Sequence, residues 1–361
     1  MAKIDEKKAN VRFFALDPYL ETNIVSAKER QTRQAGKTLM EWGDGNAYPD
    51  YILGLYNDVV TFRSVVDGLT DYICGDAVTL RFRDGRPNRS MTFPQFFRRL
   101  ARSRAIYRGA AVQVIRNMAG EVDSVWPVDL RWLRTDKDGS VWYYSEDFGK
   151  RYVRQGRMDE YPSYMEDGRS DTSIMAIWDA VDGVYPAPWI AAAVTACETE
   201  RSIDEYHLNA INNGFSSSYF VNFNNGVPDD VIKEEIEKDF QEKFSGAKNA
   251  GRIGFSWNPN KDAATTFEQI KQDDFGDKYQ ALAKNTMQKI MTAYRANPNL
   301  FGIPTENLGF NQEEYAAAFR LFNRTMVQPE QRILKDALDR IFGPDTVIIA
   351  PFSMDTVDDS E

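Results

Sequence analysis

Apolar side chains at Ile52, Leu55, Val59, Phe62, Val66 and Leu69 recur at intervals of three and four, which predicts one helix over 51–72. The same period predicts a helix over 93–109, with Phe96, Phe97, Leu100 and Ile106 inward and the arginines outward. Residues 81–83 read as a short extended piece. The pattern then changes: 111–117, 123–128, 141–145 and 150–153 are short β-rich runs. Turn signals at Asp138-Gly139 and Phe148-Gly149 separate them, as in an antiparallel meander. Upstream, residues 42–50 are rich in Gly, Asn, Asp and Pro and read as consecutive turns where the ordered core begins.

Beyond a Gly- and Asp-bearing stretch over 159–173, Pro188 suits the first turn of a helix running to residue 212. Trp189, Ala193, Ala196, Ile203, His207 and Ala210 define its apolar side. A strand over 219–223, a turn at Asn224-Asn225-Gly226, a helix over 228–244 and strands over 251–257 and 265–270 follow. A long helix starts near 277, where Tyr279, Leu282, Thr286, Ile290 and Tyr294 form an apolar stripe and leave Lys284, Gln288, Met291 and Arg295 on another face. A loop over 297–309 leads to a last helix with Tyr315, Phe319, Phe322 and Met326 inward. Pro329, which has no N–H to donate, bends or breaks that helix. The pattern therefore predicts an α+β fold: a mixed first half, then a small strand–helix–strand insert between two long helices.

Composition narrows the function. With 361 residues, 42% hydrophobic and 27% charged, the chain suits a folded protein of several packed parts. No run approaches the roughly 18 apolar residues of a membrane span, so no membrane contact is expected. Cys74 and Cys197 match no metal or redox spacing. A net charge of −10 argues against gripping nucleic acid by general electrostatics and leaves transient contact open. The 22 Phe, 17 Tyr and 7 Trp suit large buried surfaces or subunit interfaces. Between Gly85 and Gly120 lie eight arginines (Arg86, Arg89, Arg98, Arg99, Arg102, Arg104, Arg108 and Arg116) and no acidic residue. They are either a patch for an acidic or nucleic-acid partner or a solvated face paired with carboxylates of this chain or a neighbour.

Reactive chemistry is scarce. Ala35-Gly-Lys-Thr38 imitates the end of a phosphate-binding loop, but Gln31 stands where that loop needs glycine and no apolar strand precedes it. His207 is the only histidine, which excludes His-rich metal sites, and its place on an apolar helix side suits packing. Glu234, Glu235, Glu237 and Asp239 read as the wet face of a helix, and Asp229-Asp230 as residues of its first turn. No catalytic residue, metal ligand or cofactor is expected. The alternative from another class is a carboxylate- or metal-dependent hydrolase, which the abundance of acids leaves open.

The order of elements resembles the portal proteins of tailed bacteriophages, particularly the HK97-type family. The residues that carry the likeness are Tyr185-Pro-Ala-Pro188 opening a helix that ends at Asn212-Asn-Gly-Phe215, then Lys248-Asn-Ala-Gly-Arg252, Phe301-Gly-Ile-Pro304, Asn307-Leu-Gly309 and Gln328-Pro329. Each motif is short, and their order over 42–345 is the specific part. The resemblance implies an N-terminal segment (1–41), a wing with antiparallel strands (42–185), a first stem helix (186–212), a small α/β clip (213–271) and a second stem helix (272–296). A tunnel loop (297–310), a kinked wing helix (311–345) and a short tail (346–361) complete it, with the crown nearly absent.

It further implies a virion protein, assembled in the host cytoplasm as a homo-oligomeric ring, a dodecamer, at one capsid vertex. Terminase, a head–tail adaptor, and major capsid protein or scaffold are its implied partners, and double-stranded DNA passes through non-specifically during packaging and ejection. Asn297, Asn299, Thr305, Glu306 and Asn307 are the implied tunnel-loop contacts. Asn224, Asn225, Lys248 and Asn249 are the implied clip docking surface. Lys284, Gln288 and Arg295 either face the channel or belong to a solvated or subunit-contact face.

Overall fold

The computed structural model describes residues 11–12, 24–150, 153–154, 156–166, 168, 170–180, 183–212, 219–223, 229, 231–233, 235, 253–257, 266–269, 276–303 and 312–352. The described elements of the first half are β1 (Val11–Arg12), β2 (Arg30–Gln34), β3 (Lys37–Glu41), α1 (Tyr48–Asp58), α2 (Val60–Cys74), β4 (Ala77–Leu80), α3 (Phe93–Tyr107), β5 (Ala110–Arg116), β6 (Val122–Val128), β7 (Leu133–Thr135), β8 (Val141–Tyr144), β9 (Asp159–Pro162) and β10 (Thr172–Ile177). Those of the second are α4 (Val194–Asn212), β11 (Tyr219–Phe223), β12 (Ile253–Trp257), β13 (Thr266–Gln269), α5 (Gly276–Ala293), α6 (Gln312–Phe322), α7 (Gln328–Phe342) and β14 (Val347–Ala350). Contacts divide the chain into a larger unit of residues 24–198 and 286–361 and a smaller one of 1–23 and 199–285.

In the larger unit the 1–41 segment already contributes structure. β2 and β3 form an antiparallel hairpin whose turn residues Ala35 and Gly36 have φ of 46° and 82°, the left-handed pair of a two-residue turn. The phosphate-loop look-alike is thus a hairpin turn. The single helix expected over 51–72 is two, because Val59 leaves helical geometry at φ −103°, ψ 112°. The apolar period runs through the break because Val59 is itself buried at 1% exposure.

α3 starts with a capping box, Thr92 and Gln95 each satisfying the other's backbone N–H, with Pro94 in the first turn. It packs on α2, β5 and β6. The strands form two antiparallel sheets of order β10-β5-β6 and β7-β8-β9, not one meander. Residues 81–83 fall just past β4, whose partner is β14, and Arg83 has turned to φ 47°. Lys150 and Val153 are not in a strand.

The smaller unit contains a sheet of order β1-β12-β11-β13, with β11 parallel to β12 and the other pairs antiparallel. A parallel pair needs a crossover. Residues 231–233 and 235 within it are helical and Asp229 is not, and the other residues of the helix expected over 228–244 lie outside the described residues. His207 is exposed, with its ring 5.8 Å from Tyr206 and 5.4 Å from Tyr279, and not packed inward as its helix position suggested. The unit boundaries at 198/199 and 285/286 fall inside α4 and α5.

Candidate functional site

The stretch from α5 to α7 is where the resemblance implies a second stem helix, a tunnel loop and a kinked helix, and in the larger unit one residue organises it. The Tyr72 ring lies 6.0 Å from Phe301, 5.7 Å from both Phe319 and Phe322, and 5.1 Å from Phe352. Its hydroxyl donates to the Leu300 carbonyl at 2.7 Å, and burial pushes its pKa well up. Phe301 sits so close to α2 that a Cβ added at Gly68 would meet its ring at 2.6 Å, which explains a glycine inside that helix. The chain on both sides of residues 304–311 is therefore clamped to one tyrosine: Phe301 before them, Phe319 and Phe322 after.

The first part of the predicted loop is accordingly not free. Asn297 caps a 3₁₀ turn, Pro298–Phe301, its side-chain oxygen accepting the Asn299 N–H at 3.1 Å. Asn297 is exposed and Asn299 half-buried. Thr305, Glu306 and Asn307, like Asn224, Asn225, Lys248 and Asn249, lie outside the described residues. On α5, Lys284 and Gln288 are exposed one turn apart, whereas Met291, expected beside them, is 2% exposed and joins Ile290 and Tyr294 in the core. From Thr286 onward the helix belongs to the larger unit, where core surrounds it on more than the one face that periodicity predicts. Tyr294 follows the helix and donates to the Ala105 carbonyl at 2.9 Å. Arg295 is exposed in a left-handed conformation, φ 50°, after the helix has ended.

The last helix is interrupted as expected near Pro329, by a π-helical segment over Asn323–Val327. Proline cannot donate to the carbonyl four residues back, and its ring collides with that carbonyl, so a widened turn here relieves both. One residue later, Glu330 receives a bidentate pair from Arg104, Nε to Oε2 at 2.6 Å and Nη2 to Oε1 at 2.8 Å. This bond joins α3 to the start of α7, and Arg104 is buried whereas Arg98, Arg99, Arg102 and Arg108 are exposed. Among the other arginines of the stretch, Arg98 meets Asp71 at 2.6 Å, Arg102 lies 3.9 Å from Asp67, and Arg116 donates to the Gly120 carbonyl. Pairing within the chain thus accounts for several of them.

Tyr185, first residue of the Tyr185-Pro-Ala-Pro188 motif, is an anchor. Its ring stacks on Trp42 at 5.0 Å, and its hydroxyl donates to the Met40 carbonyl at 2.5 Å and accepts the Thr135 N–H at 3.1 Å. Neither Tyr72 nor the Arg104–Glu330 pair was signalled in the sequence beyond the glycine at 68 and the acid after Pro329. Among the described residues no group of three or more His, Cys, Asp or Glu could hold a metal ion, and no helix is long and apolar enough to cross a membrane.

The sequence profile described as phage portal protein matches residues 76–354. The chain belongs to the phage portal protein family. This is a structural family, not one of enzymes. Two solved structures share the mixed helix-and-strand fold of this portal protein. One is from the virion of a native gene transfer agent particle, 18% identical over 85% of this chain and 84% of that one, with a TM-score of 0.52. The other is from the neck of an empty gene transfer agent particle computed with C6 symmetry, 17% identical over 85% of each chain, with a TM-score of 0.53. A weaker likeness, 10% identical over 79% of this chain and 88% of the other with a TM-score of 0.46, is to an HK97 family phage portal protein from Corynebacterium diphtheriae. No curated protein matches.

Proposed function

We propose that copies of this portal protein form a ring at one capsid vertex, through which DNA enters during packaging and leaves at infection, and which carries no catalytic site. The observation that carries this is the family match across residues 76–354. The sixfold symmetry of the neck whose fold the chain shares supports a ring and is compatible with a dodecamer. In this reading residues 42–185 form the wing, 186–212 and 272–296 the stem, and 213–271 a clip that docks terminase and later the head–tail adaptor. Capsid or scaffold protein surrounds the wing, and the ring remains in the virion. An acidic tunnel with a few cations and amides keeps contacts with a moving duplex weak and salt-sensitive, in keeping with a net charge of −10 per chain.

In this reading Asn297, Asn299, Thr305, Glu306 and Asn307 of the tunnel loop meet the DNA, and the start of that loop is held by the Asn297 cap and by Leu300 and Phe301 against Tyr72. Lys284 and Gln288 serve as channel-side groups of the stem, with Arg295 at its end. Asn224, Asn225, Lys248 and Asn249 face the docked partner.

Electron microscopy of the purified protein tests the reading: rings are expected, and monomers alone at high concentration under every condition overturn it. Deleting residues 213–271 should leave ring formation and remove terminase docking, and retained docking would sink the clip assignment.

A further inference from the structure

β4 and β14 make a sheet of two strands, and among the described residues no third strand pairs with either. In an antiparallel ladder, successive residues turn their N–H and C=O alternately toward the partner strand and away from it. Arg81 donates its N–H to the Thr346 carbonyl at 2.8 Å, so Thr346 faces β4, and Val347 and Ile349 face away. The Val347 N–H agrees with this, since Asp339 Oδ1 holds it at 2.9 Å. The N–H and C=O of Ile349 have no partner among the described residues and leave an open edge, the kind of surface that templates another strand.

A cleft of about 520 Å³ runs along that edge. Val347, Ile348 and Ile349 all line it, although successive side chains of a strand point to opposite faces, so the opening follows the edge of β14 and not one face. Its other wall is α7, which contributes Arg332 and Lys335. Lys335 is shared between Asp339 and Asp345, whereas Arg332 and Arg81, both exposed and both in the lining, form no ion pair among the described residues. Unpaired strand backbone, half-buried isoleucines and two spare guanidiniums in one cleft suit an extended peptide that carries carboxylates. A nucleic-acid strand would meet the arginines and leave the backbone edge unmatched. A second copy of this chain fits less well: its β2–β3 hairpin carries Arg30, Arg33 and Lys37, and Glu160 on its β9 is already held by Lys37.

We propose that the β14 edge takes an extended acidic segment of a partner protein as a third strand, with its backbone on Ile349 and its carboxylates on Arg81 and Arg332. The site is built within one chain, so it does not depend on the ring.

The test uses the full chain and a labelled peptide of alternating glutamate and valine. Hydrogen exchange on the unaltered protein reads the edge directly: saturating peptide should slow the Ile349 amide about tenfold and leave Ile348, whose N–H faces β4, nearly unchanged. In fluorescence anisotropy, Arg81→Glu with Arg332→Glu should weaken binding about tenfold. Methylating one of the two alternate sets of peptide nitrogens should abolish binding, and methylating the other set should not. No binding, binding indifferent to the charge reversals, or an Ile349 amide untouched by bound peptide overturns the proposal. Equal slowing by a single-stranded oligonucleotide overturns the choice of a peptide. An Ile349 amide already protected without peptide, to an extent that grows with protein concentration, overturns it in favour of a second copy.

Discussion

Arg104 and Arg134 are 2% and 0% exposed, and the larger unit holds them by different means. Arg104 meets a carboxylate in fork geometry, and its remaining nitrogen, Nη1, donates to the Arg108 and Ile177 carbonyls at 2.7 and 3.0 Å. Arg134 has only neutral acceptors: the Asn46 side-chain and backbone oxygens at 2.5 and 3.1 Å, and the carbonyls of Leu130 and Leu133. The Phe148 and Tyr185 rings lie 5.0 and 6.0 Å from its guanidinium carbon. Burial accordingly pulls its pKa down to about 10, with Tyr185 and nearby carboxylates opposing the fall. A buried cation can thus be tolerated through an opposite charge, as between α3 and α7, or through oriented dipoles and ring faces, which here hold β7 to the turn at Asn46.

Removing one partner breaks the first arrangement most severely. Glu330→Ala should cost about 3–5 kcal/mol in urea unfolding, because it leaves Arg104 buried and uncompensated. Replacing Arg104 and Glu330 together with methionine should recover most of the loss. If Glu330→Ala costs less than about 1 kcal/mol, the contact does not tie α3 to α7 as described.

Much of this architecture was legible in the sequence and this pair was not. Phe93–Tyr107, Gly276–Ala293, Tyr219–Phe223 and Ile253–Trp257 were found because their period or β-rich run is local. Leu133–Thr135, Thr172–Ile177 and Val347–Ala350 escaped, since short strands gain their identity from partners far along the chain, as Val347 does from Leu80. An arginine on α3 reads as solvated until a carboxylate 226 residues away is known to face it. The loop over 297–309 was legible in part for a related reason: its Asn, Pro and Gly signal a turn, but only the fold shows that Leu300 and Phe301 fasten it to Tyr72.

Alkaline pH should distinguish the two regions next. Tyr48 and Tyr185 both lie against Trp42, Tyr185 also beside Arg134, and burial pushes Tyr48 up to about 12 and Tyr185 further. A tyrosine whose folded pKa is raised contributes stability fully below its ordinary value near 10 and loses it as pH climbs to the folded value. Arg134 acts oppositely, since the cost of burying its charge is relieved above about 10. Two raised tyrosines outweigh it, so stability should fall between pH 10 and 12, by about 2–3 kcal/mol from Tyr48 alone. Tyr48→Phe should flatten that fall, and an unchanged slope would remove Tyr48 from the account.

Arg134→Met should cost about 2 kcal/mol, less than Glu330→Ala, because it leaves the Leu133 carbonyl without this donor but no buried charge. A cost equal to that of Glu330→Ala would mean that oriented dipoles bind the guanidinium as firmly as a carboxylate does.

The smallest effect belongs to the outer face of α3, where Arg98 meets Asp71 at 2.6 Å with side chains 46% and 54% exposed. A distance as short as that of the Arg104 pair carries little energy here, because water hydrates both groups almost as well when they separate and the long side chain loses rotamer freedom on pairing. Asp71→Asn should therefore change stability by less than about 1 kcal/mol, and roughly 1 M salt should abolish even that.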